Sequence, residues 1–203
     1  MNAAFAEERP AFVRAEPFLR ATTVLGGMAN TIGAATVLLA ILLAREGGAS
    51  ATSIGVLSAM IGAGGLAGAA LTPYLLRRLP MRYVFAGVGW YWTAVLPAMA
   101  LTTDPYLLGA LGAVLTLPFP AWNAAVLART VAITPEHLFG RVQSVRQLVS
   151  RLATPCGPLL AGLAYESFGG HATVLILLAG APLTAVTGST LREPRHRIRQ
   201  SID

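Results

Sequence analysis

The chain has 203 residues, of which 55% are hydrophobic and only 12% are charged. Soluble globular domains usually carry about 25% charged residues, so this composition excludes a protein that covers itself with a water-facing shell. The net charge of +6 comes from arginine, because the sequence contains no lysine. Nucleic-acid binding would need a basic face on a soluble fold, so we expect no nucleic-acid partner.

Cysteine and histidine are too few and too scattered to suggest a metal site. Cys156 is the single cysteine, and His137, His171 and His196 lie far apart in the sequence. One cysteine forms no intramolecular disulfide, and burial as a small apolar side chain is an ordinary role for it. We therefore expect no metal ion and no cofactor.

Long uncharged segments follow one another along the chain. A helix needs about 20 mostly apolar residues to span the hydrocarbon core of a bilayer. Five segments meet this length, and they are 21–44, 47–76, 83–103, 105–128 and 172–191. A sixth segment, 152–165, is too short on its own. A span there must begin near Val145 and bring Arg146 and Arg151 into or near the membrane.

The arginines decide how these segments cross the bilayer. With a cytoplasmic N-terminus, six spans place every arginine except Arg45 on or near the cytoplasmic side, as the positive-inside rule requires. The sequence therefore predicts an all-α membrane protein of the cell membrane with both termini cytoplasmic. The predicted spans are approximately 18–44, 50–76, 82–103, 105–129, 145–168 and 171–191, between a lead (1–17) and a basic tail (192–203).

Small residues repeat along two of the predicted spans. In span two they are Gly55, Ala59, Ala63 and Ala67, with a further pair at Gly64 and Gly68. In span five they are Ala153, Gly157, Ala161 and Gly162. Small residues let membrane helices approach closely. Two interpretations stay open: packing within one bundle, or faces that spans two and five present to a partner.

Three segments carry a family resemblance: 16–69, 75–85 and 120–145. Together they resemble the C-terminal half of a major facilitator superfamily transporter, in the branch of siderophore and macrolide exporters. The third segment is the most specific, because its TPEHLFGRVQS resembles the family's loop before span eleven. In the second segment, Arg77 and Pro80 stand where the family form usually has an acidic residue and a glycine.

The resemblance runs from about Glu16 to Arg192 and covers half of the family's twelve-span fold. It implies one six-helix bundle of a secondary transporter, in which the substrate path lies between two bundles. The implied function is transport, in the export direction, of an amphiphilic small molecule. The implied partner is a second transporter half or another copy of this chain, met through spans two and five. Residues 1–17 resemble the central linker, and the candidate gating-loop residues are Arg77, Arg78, Arg82, Gly140 and Arg141.

The resemblance also implies that the first and fourth spans line the central cavity. The polar and aromatic candidates there are Asn30, Thr31, Thr36, Trp122 and Asn123. A buried amide is costly unless it is hydrogen-bonded. The two asparagines are therefore expected to meet a neighbouring helix, water or a substrate. Trp122 either stacks on a planar ligand or packs against other helices.

Span five adds Gln147 and Arg151 to the candidate cavity residues. They lie on a polar stripe with Ser144 and Thr154 at helical spacing. A charge inside a membrane usually indicates function, whereas an arginine near the end of a span also reaches back to the interface. Both interpretations of Arg151 stay open.

Acidic residues are absent from the interior of all six predicted spans. If transport is proton-coupled, the titrating carboxylate is expected in the other bundle. The spans also lack a nucleophile–base pair or paired acids, so we expect no enzyme. The alternative to a transporter half is a non-transporting remnant or accessory membrane subunit.

Overall fold

The described part of the chain is built from helices. The computed structural model describes residues 17–79 and 81–189, and no strand occurs within them. The expected all-α class is confirmed for these residues. In chain order the helices are α1 (Pro17–Glu46), α2 (Ala51–Arg78), α3 (Met81–Met99), α4 (Pro105–Thr116), α5 (Phe119–Ile133), α6 (Glu136–Ala153) and α7 (Cys156–Ser189).

Three helical stretches are long and apolar enough to cross a membrane: Phe18–Glu46, Ala51–Arg78 and Pro105–Ile133. Stretches of this length and composition are typical of a membrane protein. The expected lead, apart from its last residue, and the basic tail lie outside the described residues. The six-span topology and the cytoplasmic position of both termini stay predictions.

Besides the turn at Thr134 and Pro135, two proline-containing breaks interrupt the helices in the second half of the chain. α4 and α5 are separated by Leu117 and Pro118, and α6 and α7 are separated by Thr154 and Pro155. A proline has no N–H to donate, and its ring clashes with the carbonyl one turn earlier, so a helix kinks there. Each break therefore leaves backbone carbonyls that need other donors.

Side chains of neighbouring helices supply donors at the first break. Pro118 cannot donate to the carbonyl of Val114, and the hydroxyl of Tyr91 donates to it at 2.8 Å. The indole Nε1 of Trp92 donates to the carbonyl of Leu115 at 3.0 Å. Such donors make a broken helix tolerable at membrane depth, where no water is at hand.

A threonine of α1 serves the second break. The backbone N–H of Gly157 donates to the carbonyl of Thr154 at 3.2 Å. In a regular α-helix it would donate to the carbonyl of Ala153. The carbonyl of Ala153 instead accepts from the Thr31 hydroxyl at 2.9 Å. The same hydroxyl lies 3.0 Å from the carbonyl of Gly27 on its own helix. Thr31 therefore connects α1 to the kink between α6 and α7.

The segment 130–144, which lies between the fourth and fifth predicted spans, is largely helical. α5 continues to Ile133, and α6 begins at Glu136 after a turn of two residues. α6 carries polar and charged residues along much of its length and begins with an acidic residue in its first turn. A negative charge near the N-terminus of a helix stabilises it, because the helix dipole is positive at that end. This segment is therefore helical and not a loop.

Two glycines allow the backbone to reverse where the main helices meet. Gly48, in the turn between α1 and α2, has φ +77°, and Gly169, within α7, has φ +78°. Residues with a Cβ rarely adopt this left-handed conformation. Gly169 thereby divides α7 into two helical segments, 156–168 and 170–189.

α1 lies at the centre of the packing. It contacts α7 most extensively, and it also contacts α6 and α4. Leu39 and Leu43 of α1 are buried with Trp92, Leu96 and Met99 of α3 in the larger core. A smaller core nearer the start of α1 joins Leu25 to residues of α3 and α5.

The small residues of α2 lie on two faces of the helix, one buried and one exposed. Gly64 and Gly68 are buried against α4, where a Cβ would overlap the backbone of Ala113 and of Leu117 respectively. The stripe of Gly55, Ala59, Ala63 and Ala67 is exposed instead. The close packing of α2 on α4 is therefore internal, and the other stripe stays uncovered by the described residues.

Two of the small residues of the predicted span five, Gly157 and Ala161, are buried inside the chain. A Cβ on Gly157 would overlap the backbone of Thr31, whereas a Cβ on Gly162 would meet nothing within 4 Å. Close helix–helix packing requires small residues at points such as Gly157. Of the two faces expected to meet a partner, the one on span five is therefore occupied by α1 at Gly157.

Candidate functional site

An apolar cavity of about 410 Å³ lies among α1, α2, α3, α4 and α5. Its walls include Thr36 and Val37 of α1, Trp92 and Leu96 of α3, and Phe119 of α5. Its volume falls within the range of roughly 300–1,000 Å³ typical of small-molecule sites. Thr154, at the second proline break, also lines it.

A second cavity, of about 310 Å³, is polar and lies among α1, α5 and α6. The polar side chains that line it are Thr22, Thr23, Asn30, Asn123, Gln143, Arg146, Gln147 and Ser150. Trp122 is the large aromatic residue of its wall. Among the described residues that line either cavity, Arg146 is the one that is charged.

Two asparagines belong to both cavities and mark where they meet. Asn30 donates from Nδ2 to the hydroxyl of Ser150 at 2.6 Å and to the carbonyl of Gly26 at 2.8 Å. The bond to Ser150 joins α1 to α6 and the bond to Gly26 stays within α1; contact with a neighbouring helix was one of the three expectations for Asn30. Asn123 is exposed and makes no hydrogen bond with the described residues. Of the pair, Asn123 is the one whose amide is available to a ligand.

The threonine hydroxyls of α1 are bonded within the protein. Thr36 is buried and donates to the carbonyl of Ile32 at 2.8 Å, while it also lines the apolar cavity. Thr31 lines neither cavity and serves the second break instead. Its expected place among the cavity residues is therefore replaced by a structural contact.

Aromatic rings form a continuous wall along the two cavities. Trp92 and Phe119 are stacked with ring centroids 5.8 Å apart, and Phe119 and Trp122 are tilted with centroids 6.4 Å apart. Offset or tilted rings at these separations attract one another. Trp122 is buried and contacts Gly26 of α1, so its packing role is met, and its edge still borders the polar cavity.

The structure brings Arg146, and not Arg151, to the cavities. Arg151 is exposed and lines neither of them. Arg146 is half-buried, and its Nη1 donates to the Thr130 hydroxyl at 3.0 Å and lies 3.4 Å from Oε1 of Gln143. The expected candidate Gln147 lines the polar cavity as anticipated for a cavity residue. Sequence reasoning noted Arg146 only as a charge near the start of span five.

The candidate gating residues lie on helices. Arg77 and Arg78 are exposed in the last turn of α2, and the Arg78 guanidinium lies 5.4 Å from the ring centroid of Tyr74. Gly140 and Arg141 lie inside α6 rather than in a loop. The side chain of Arg82 lies outside the described part of the structure.

Among the described residues, no group of three or more His, Cys, Asp and Glu side chains is placed to hold a metal ion. Cys156 is exposed at the start of α7, which differs from the burial expected for it. Its Sγ lies 3.9 Å from the carbonyl of Leu152, one turn earlier. It is therefore a labelling position rather than part of the site.

No protein-family model matches the chain, and no curated protein matches it significantly.

Proposed function

We propose that the chain is one six-helix bundle of a secondary transporter of the major facilitator type, and that it exports an amphiphilic small molecule together with a second bundle. The two adjoining cavities carry this proposal. They share Asn30 and Asn123, and one is apolar while the other is polar. A path with both characters suits a molecule with an apolar body and a polar group.

The extent of the cavities along α1 supports a transmembrane path. The polar cavity begins at Thr22, and the apolar cavity ends at Ala40. Eighteen steps of an α-helix cover roughly 27 Å, which is close to the hydrocarbon thickness of about 30 Å. Together the cavities follow α1 over most of the depth that a substrate must cross.

Exposed surface on α2 supports the need for a second bundle. Its stripe of small residues is uncovered, and Leu66 beside it is 75% exposed. Small residues are the ones that let membrane helices pack closely. A second bundle, from another gene product or from another copy of this chain, is proposed to cover this stripe.

The first test is the mass of the purified chain in detergent, followed by an efflux assay. Cells that express the chain are preloaded with N-phenyl-1-naphthylamine, a neutral amphiphile, and its loss is followed by fluorescence. Asn123→Ala removes an amide that both cavities share, and we expect initial efflux to slow by about two- to tenfold, the worth of one hydrogen bond.

Ser144→Ala is the matched control. Ser144 is exposed on α6, bonds to the carbonyl of Gly140 of its own helix, and lines neither cavity. It should leave efflux unchanged. A monomeric chain with no efflux above that of cells lacking it would contradict the proposal and would favour the accessory-subunit alternative.

A further inference from the structure

The charge balance of the two cavities is one-sided. Arg146 is positive, and no Asp or Glu is found among the described residues that line either cavity. Of the described acidic residues, Glu46, Asp104 and Glu166 lie toward the opposite, predicted outer side, and Glu136 lies in the first turn of α6, ten residues before Arg146. A charge held away from water without a counter-charge is unfavourable. The polar cavity therefore favours a ligand that brings a negative charge.

The hydrogen bonds of Arg146 leave room for such a ligand. Its Nη1 is directed to two neutral oxygens, on Thr130 and Gln143. Its Nε is buried and has no acceptor among the described residues. A guanidinium carries five N–H donors in a planar fork that matches the oxygens of a carboxylate or sulfonate. The side chain is thus held in place by neutral partners while donors stay unused.

The apolar cavity indicates the rest of the ligand. The aromatic wall of Trp92, Phe119 and Trp122 runs from the apolar cavity to the polar one. Flat faces of aromatic residues favour stacking with planar rings. Asn123 lies where the two cavities meet. Its amide can therefore bind a ligand at the point where a polar group joins an apolar body.

We propose that this site takes an amphiphilic organic anion, whose acidic head binds Arg146 in the polar cavity and whose planar body lies along the aromatic wall. The proposal deepens the proposed function and rests on it for the transport step only. Binding itself is a property of the two cavities and is measurable without transport.

A pair of dyes with the same aromatic body tests the anion preference. 1-Anilinonaphthalene-8-sulfonate carries a sulfonate, and N-phenyl-1-naphthylamine does not. Each is titrated into the full chain in nanodiscs of neutral phosphatidylcholine, with empty nanodiscs subtracted, and energy transfer from tryptophan reports the bound dye. We expect Arg146→Gln to weaken binding of the sulfonate dye by about tenfold or more, because a charged hydrogen bond is lost. Binding of the neutral dye should change by less than about twofold.

Arg20→Gln is the matched control. Arg20 is exposed near the start of α1, on the same predicted side of the membrane as Arg146, and it lines neither cavity. It should leave both dyes within about twofold of the unmodified chain. Equal losses in Arg20→Gln and Arg146→Gln would overturn the proposal, since they would assign the effect to surface charge. Equal weakening of both dyes by Arg146→Gln would also overturn it.

A measurement on the unmodified chain keeps the test decisive if Arg146→Gln does not fold. 1-Naphthalenesulfonate should displace the sulfonate dye at least about tenfold better than neutral 1-naphthalenesulfonamide, and equal displacement would overturn the proposal. If phosphatidylglycerol added to the nanodiscs displaces the dye, the natural anion is a lipid. If it does not displace the dye, the natural anion is a soluble compound. If the sulfonate dye binds but no efflux is found, the anion site is supported and the proposed function is contradicted. If efflux is found but the chain shows no preference for anions, the proposed function is supported and the anion site is contradicted.

Discussion

The contact of Gly157 with α1 gives a quantitative test of the packing. A Cβ built on Gly157 would lie 2.9 Å from the carbonyl carbon of Thr31 and 3.1 Å from the backbone nitrogen of Ala35. It would lie closer still to the carbonyl oxygen of Thr31. These neighbours are backbone atoms of a central helix, so they cannot turn away as a side chain can. Gly157→Ala must push the two helices apart.

The cost follows from two opposing effects. Adding atoms to a packed contact costs about 1–3 kcal/mol, while replacing glycine by alanine in a helix returns about 0.5–1 kcal/mol. We expect Gly157→Ala to lower the free energy of unfolding by about 1–2 kcal/mol. The same shift would lengthen the bond from Thr31 to the carbonyl of Ala153, which adds to the loss.

Gly162 on the same helical segment is the matched control. A Cβ there has nothing within 4 Å, so Gly162→Ala should be neutral or stabilising by up to about 1 kcal/mol. Both variants are unfolded by sodium dodecyl sulfate in mixed micelles and followed by tryptophan fluorescence and circular dichroism. Equal stability of the two variants would refute the close packing of α7 on α1.

Two further predictions concern the first proline break and the topology. Trp92→Phe replaces the indole by a smaller aromatic ring and removes the donor to the carbonyl of Leu115, and we expect a loss of about 1–2 kcal/mol or more in the same unfolding assay; unchanged stability would contradict the role of the indole N–H. In a Cys156→Ser background, a membrane-impermeant thiol reagent on intact cells should label Ser50→Cys but reach Leu79→Cys only after permeabilisation. Labelling of both from outside would contradict the predicted orientation of α2.

The helical class followed directly from the sequence, because runs of uncharged residues of this length leave few other structures for the backbone. The proline breaks were visible as prolines, but their partners were not. Nothing in the local sequence indicates that Tyr91, Trp92 and Thr31 supply hydrogen bonds to carbonyls on other helices. Those contacts depend on which helices are neighbours in the fold.

The arginine of the site shows a similar limit. Arg146 and Arg151 are five residues apart, so they point about 140° apart around a helix. The sequence places both near the same end of span five, but only the position of α1 and α5 beside α6 decides which side faces the cavities. For the small residues, the periodicity was clear, yet it did not show that Gly157 meets α1 while the stripe beginning at Gly55 stays uncovered.

The two proline breaks set apart one stretch of the chain, 119–153, which comprises α5 and α6. This stretch carries most of the polar cavity's wall, and the hydrogen bond from Arg146 to Thr130 ties its two helices together. An anion that binds the guanidinium through the donors that Thr130 does not use would leave this hydrogen bond in place. The same side chain would then hold the ligand and keep together the two helices that enclose it.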